Sequence, residues 1–136
     1  MPIPQLVINP LSFIAIAVGA VLGAWLRWGL SLWLNAQADR LPWGTLAANL
    51  AGGYLVGVAL GVLALNPQGP EWVRLAVVTG FLGALTTFST FSAETVALLQ
   101  AGRLVSALGY VALSLFGSFA LTVAGLGTVG WLARAG

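Results

Sequence analysis

Polar side chains recur at one-turn spacing along otherwise apolar stretches of this chain. Thr45 and Asn49 are four residues apart, and Tyr110, Ser114 and Ser118 follow one another at the same interval. Residues three or four apart share a helix face, so each set forms a polar line. Such a line can do one of two things. Its hydroxyl and amide groups can donate to a neighbouring helix, the usual role of a lone Ser or Thr in a membrane helix, and for Ser114 alone that reading prevails. The line can instead face a water-filled or ion-filled path, which satisfies polar groups that are costly in hydrocarbon. Phe88 and Phe91, three residues apart, project from nearly one face. Ring edges carry partial positive charge, so an anion can meet them, although two Phe in a membrane helix are ordinarily core or lipid contacts. The cluster of hydroxyls and Phe suits an anion better than an organic cation.

Other chemistries are poorly supplied. The chain has no His and no Cys, which removes disulfides, thiolates and the common zinc sites. Its acids are Asp39, Glu71 and Glu94, and its bases are Arg27, Arg40, Arg74, Arg103 and Arg134. No nucleophile–base pair or metal-binding set stands out, which argues against an enzyme. The bases are not clustered, so nucleic-acid binding is not expected. Arg27 can draw anions to a vestibule or snorkel and hold structure; a direct ligand role is disfavoured. Glu94 lies one turn past Phe91, where an acid can repel anions, and it is not counted among the ligands.

The elements that must position these groups follow from composition. Of the 136 residues 60% are apolar and 6% charged, against about a quarter charged in soluble domains. Lipid must be the main solvent. A spanning helix needs roughly 20 mainly apolar residues, and four such runs occupy about 11–34, 42–65, 71–99 and 103–132. Pro42 suits a first helical turn, Asn66-Pro67-Gln68-Gly69-Pro70 is a turn cluster, and Gln100-Ala101-Gly102 separates the last two runs. The expected fold is an all-α integral membrane bundle forming one domain over 1–136, with both termini on one side. Residues 1–10 carry no basic n-region, so no cleaved signal peptide is expected. Gly19 and Gly23, and Gly53, Gly57 and Gly61, recur every four residues and read as close-packing faces.

Two features complicate that bundle. The third run contains Gly80 and Gly83, then Thr86, Thr87, Ser89, Thr90 and Ser92 around the Phe pair. Hydroxyl side chains compete for backbone hydrogen bonds and Gly lowers helix preference, so this helix is expected to break near 80–87, at mid-membrane. Irregular backbone at that depth must be buried in protein or line a cavity. Second, Arg74 and Arg134 on one side face Arg40 and Arg103 on the other, with Arg27 deeper. So even a count leaves orientation undecided and makes an antiparallel dual-topology homodimer possible. Such a small bundle would need a partner to enclose a polar path.

At this point the residues resemble a known family. Gly83-Ala84-Leu85-Thr86-Thr87-Phe88-Ser89-Thr90-Phe91-Ser92 is similar to the signature of the Fluc fluoride channels, also called CrcB. Gly23-Ala24-Trp25-Leu26-Arg27-Trp28, the segment from Gly44 through Asn49 to Gly52, and the line Tyr110, Ser114, Ser118 match further family motifs in order. The resemblance covers essentially the whole chain. It implies passive fluoride efflux through two pores of an antiparallel homodimer in a prokaryotic inner membrane. It assigns Thr45, Asn49, Thr87, Phe88, Phe91, Tyr110, Ser114 and Ser118 to the pore, and Arg27 to a vestibule or structural role. It also implies a central structural Na⁺ held by the backbone carbonyls of Gly83 and Thr86 from both copies, and oxygen ligands suit so hard a cation. The main rival is a small multidrug-type proton-coupled exporter, which needs a membrane-embedded carboxylate; the first run has none, and Glu94 is the one acid far from the loops. A purely structural membrane subunit would explain the Gly stripes but not the polar residues at mid-depth.

Overall fold

A computed structural model describes residues 9–35 and 41–136. The leader reading of 1–10 and the first loop, with Asp39 and Arg40, fall largely or wholly outside the described residues. Among the described residues every regular element is helical, and four spans are long and apolar enough to cross a membrane: Pro10–Leu34, Trp43–Leu65, Glu71–Gln100 and Leu104–Ala135. Their 23 to 32 residues reach roughly 35–48 Å at about 1.5 Å per residue, enough for a hydrocarbon core of about 30 Å.

Helix α1 (Pro10–Leu34) starts with Pro10 at its first position and Asn9 as cap, whose side chain accepts from the Leu11 N–H at 3.0 Å. At its far end Asn35 Oδ1 accepts from the Gly44 N–H at 2.7 Å. One side chain therefore links the end of α1 to the first turn of α2 (Trp43–Leu65). Pro42 is the residue before α2 rather than inside it; the Trp43 N–H turns back to the Leu41 carbonyl at 2.8 Å. The third span is composite. It runs through α3 (Glu71–Arg74), a π-helical segment (Leu75–Leu82), α4 (Gly83–Leu85) and α5 (Phe88–Gln100). Thr86 (φ −82°, ψ 149°) and Thr87 (φ −150°, ψ 121°) between α4 and α5 have extended backbone. Gly80 and Gly83 lie within helical turns, so the irregular stretch is narrower than 80–87; the hydroxyl residues depart from the helix and the glycines do not. Gly102, at φ 70°, reverses the chain into α6 (Leu104–Ala135), a left-handed backbone that glycine adopts without a Cβ penalty. Arg103 precedes α6 as its cap residue.

Backbones pack closely where glycine allows it. A Cβ at Gly57 would overlap the Thr122 carbonyl oxygen, and one at Gly125 the Tyr54 carbonyl oxygen. α2 and α6 are thus in near backbone contact, bridged as well by the Tyr54 hydroxyl, which donates to Thr128 at 3.1 Å. On the other flank, α1 lies on the π segment: Gly19 and Gly23 face the carbonyls of Ala76 and Phe81. Lipid gives helices no hydrophobic reason to associate, so such close van der Waals contact is what holds them. Two small apolar clusters fill the interior. One is Leu46, Leu98, Ala107 and Tyr110, and the other Ala48, Leu82 and Leu85. Leu, Phe and Trp side chains cover the outside of the bundle.

Candidate functional site at the helix interruption

The chain leaves the helix at Thr86 because side chains offer its backbone other partners. Asn49 Oδ1 accepts from the Thr87 N–H at 2.8 Å, and Asn49 Nδ2 donates to the Thr87 carbonyl at 3.3 Å. The Thr87 hydroxyl accepts from the Thr90 N–H at 3.3 Å and so caps α5. These diversions decide which carbonyls are released. In a continuous helix the Gly83 carbonyl would receive the Thr87 N–H and the Thr86 carbonyl the Thr90 N–H. Both donors are engaged elsewhere. The Ala84 carbonyl accepts instead from Arg27 Nε at 3.0 Å, and the Leu82 carbonyl takes both the N–H and the hydroxyl of Thr86, at 3.0 and 2.8 Å. The carbonyls of Gly83 and Thr86 are thus released by the fold itself. Neutral oxygen donors of this kind fit a hard cation such as Na⁺.

Beside the interruption lies a cavity of about 300 Å³, lined by Asn49, Thr87, Phe88, Phe91, Ser114 and Ser118 together with Thr86, Thr122 and apolar neighbours. The Phe88 and Phe91 rings are 5.7 Å apart and tilted by 50°. Phe88 is 79% exposed, with the Phe91 ring beside it. Ser114 is 7% exposed, and its hydroxyl has no hydrogen-bond partner among the described residues. A buried hydroxyl without a partner is costly, so this oxygen is an available donor within the cavity wall. Thr122 also lines the wall, with its hydroxyl 2.9 Å from the Ser118 carbonyl and 3.0 Å from that of Gly53. It continues the four-residue interval of Tyr110, Ser114 and Ser118 by one further step, a signal the sequence contains.

Thr45 and Tyr110 are placed differently. They are 1% and 0% exposed and are not part of the cavity lining. Both hydroxyls are engaged with Glu94: Thr45 donates to Oε1 at 2.9 Å and Tyr110 to Oε2 at 2.7 Å. A carboxylate at membrane depth needs such donors, and here α2 and α6 each supply one. The Phe91 ring lies 5.3 Å from that of Tyr110, so it separates the cavity from this buried polar cluster. The role of Glu94 was not legible in the sequence, because its partners lie 49 and 16 residues away. Arg27 holds a carbonyl rather than the cavity wall. Asn49 keeps one amide N–H beyond the one it gives Thr87.

Fold and site together define a multi-pass membrane protein with a cavity at an interrupted helix, its largely apolar wall carrying two Phe rings and a few hydroxyl and amide groups. Residues 14–126 match the family described as CrcB-like protein, Camphor Resistance (CrcB), and the chain belongs to that family. A relative from Bordetella petrii is 64% identical over 117 residues, 86% of this chain and 90% of its own. One from Bordetella pertussis is 59% identical over 125 residues, 92% of this chain and 96% of its own. A third, from Pseudomonas syringae pv. maculicola, is 58% identical over 116 residues, 85% and 91% of the two chains. Each of these relatives carries the name Fluoride-specific ion channel FluC.

Proposed function

We propose that this chain is a fluoride-selective channel, not an enzyme, that lets fluoride leave the cell passively. The observation that carries the reading is the cavity beside Thr87, where the Ser114 hydroxyl is buried and unpartnered. Relatives named as fluoride channels align over most of the chain. A small anion entering the membrane must exchange water for donors. The free amide N–H of Asn49, the hydroxyls of Ser114 and Ser118, and the ring edges of Phe88 and Phe91 are donors without negative charge. Thr45 and Tyr110 act one layer behind, each donating a hydrogen bond to an oxygen of Glu94 and so fixing that side chain. Arg27 positions the interruption through Ala84.

The working unit is an antiparallel dual-topology homodimer with two pores, in a prokaryotic inner membrane. Supporting this are the nearly even Arg count on the two sides and the bare faces of α5, of which Phe88 is the clearest case. The interruption then lies at mid-membrane on the two-fold axis. The Gly83 and Thr86 carbonyls of both copies hold a structural Na⁺ there, which would neutralise four inward-facing carbonyl dipoles.

Liposomes containing only this protein and loaded with fluoride test the reading. Electrogenic, fluoride-selective efflux without a proton gradient is expected. Proton-coupled transport of organic cations with no fluoride flux would sink it.

A further inference from the structure

Glu94 lies outside the cavity lining, yet two helices turn a hydroxyl toward it. Thr45 of α2 donates to Oε1 at 2.9 Å and Tyr110 of α6 to Oε2 at 2.7 Å. Both donors are buried, so water does not compete for these bonds.

What the bonds hold is α5. Phe88, Ser89, Ser92, Ala93 and Val96 are exposed, and most of the helix surface has no partner within the chain. Its attached face is narrow. Leu98 joins Leu46, Ala107 and Tyr110 in one apolar cluster, and Phe91 packs against the same cluster. Glu94 comes three residues after Phe91 and four before Leu98, so all three share one helix face. Apolar contacts are non-directional and let a helix turn or slide by small amounts. Hydrogen bonds are directional. Two of them, from different helices to one carboxyl group, fix the rotation of α5 about its own axis.

That rotation decides what the cavity meets. Phe91 lines the cavity, one turn from Glu94. Its ring lies 5.3 Å from that of Tyr110, tilted by 45°, and 5.7 Å from that of Phe88, tilted by 50°. A ring edge is partially positive and a ring face partially negative, so the same side chain attracts or repels an anion according to its angle. Tyr110 touches both the ring and the carboxyl group, which are thereby set against a common neighbour.

We propose that Glu94 is a positioning residue for the anion path: held by Thr45 and Tyr110, it sets the turn of α5 that aims the Phe91 ring edge into the cavity. It acts through the ring and not on the ion. This rests on the reading of the chain as a fluoride channel and adds a determinant of selectivity outside the cavity wall.

The test compares Glu94→Gln with Glu94→Met in the full-length protein. Fluoride and chloride efflux are read in liposomes, and fluorine NMR in fluoride-free detergent follows para-fluorophenylalanine in place of Phe91. Gln accepts from one hydroxyl and donates to the other, since hydroxyls do both; efflux should stay within about twofold of the wild type, as expected when hydrogen bonding is kept, and the resonance should hold its position. Met keeps the length but loses both bonds. Fluoride efflux and the preference over chloride should each fall about three- to tenfold, the scale of an aromatic edge contact, and the resonance should move. Adding Phe91→Leu to Glu94→Met should cost nothing further, because both act through one ring. Tyr110→Phe removes one bond while keeping the packing and should move the resonance in the same direction. Equal losses in Glu94→Gln and Glu94→Met would show the charge acting on the ion and overturn the proposal. A resonance unmoved in Glu94→Met and in Tyr110→Phe, or additive losses with Phe91→Leu, overturns it too. A wild type without fluoride efflux refutes the channel reading instead, and the resonance still decides whether Glu94 positions the ring.

Discussion

Ser114→Ala separates the energetic role of one hydroxyl from its functional role. Ser114 is 7% exposed and its hydroxyl is unpartnered among the described residues. Removing an unsatisfied buried hydroxyl relieves a penalty of about 1–3 kcal/mol, and Ala adds up to about 0.5 kcal/mol through helix propensity. The variant should therefore be more stable by about 1–3.5 kcal/mol, read as a higher midpoint of unfolding in SDS–detergent mixtures. Function should move the other way. A hydrogen bond to a charged partner contributes about 1.5–3 kcal/mol, which corresponds to roughly tenfold or more in a rate or equilibrium. Fluoride efflux from liposomes, followed with a fluoride-selective electrode, should fall by about that factor. Lower stability would mean that the hydroxyl serves a structural partner. Unchanged efflux would mean that no ion meets it. Either result refutes the assignment of Ser114 as a donor to the path.

Three further substitutions probe other parts of the argument. Asn49→Ala leaves the N–H and carbonyl of Thr87 unpaired, so a loss of about 2–4 kcal/mol in the same unfolding assay should accompany reduced efflux; full stability would contradict the assignment of Asn49 as the clamp of the interruption. Phe88→Ile keeps the bulk of an apolar side chain but removes the ring edge, and it should cut efflux while leaving the unfolding midpoint of the chain nearly unchanged, the exposed ring having few neighbours within the chain. Gly57→Ala places a methyl against the Thr122 carbonyl and should cost about 1–3 kcal/mol or more by overpacking, whereas Gly127→Ala, with nothing within 4 Å, should be neutral or better; equal effects would contradict the close α2–α6 approach.

Much of the architecture is legible because it follows from composition and local spacing. Apolar runs, the Pro and Gly turns and the glycine intervals place the four spans to within three residues at each end. The polar line on α6 is legible too, and Thr122 would have joined it had the interval been carried one step further. What escapes the sequence is partner choice. Nothing local tells that Asn49 clamps Thr87, 38 residues on, or that Thr45 and Tyr110 turn to Glu94 rather than to the cavity. The π-helical turns of 75–82 leave no compositional mark either, although Ala76 and Phe81 within them meet the glycines of α1. Residue types announce that polar groups lie at depth; only packing decides which of them are already satisfied.

The extended pair Thr86 and Thr87 also has an electrostatic consequence. In an unbroken helix successive peptide dipoles cancel along the interior and leave partial charge at the ends alone, about half an elementary charge of each sign. Stepping out of the helix for two residues creates two new ends within the span. The carboxyl end of α4 is negative and the amino end of α5 is positive, and they are separated by those two residues. The protein thereby presents opposite partial charges side by side without adding an ionisable side chain. Peptide dipoles do not titrate, so this part of the field is the same in acid and at neutral pH, whatever protons the water on either side of the membrane carries.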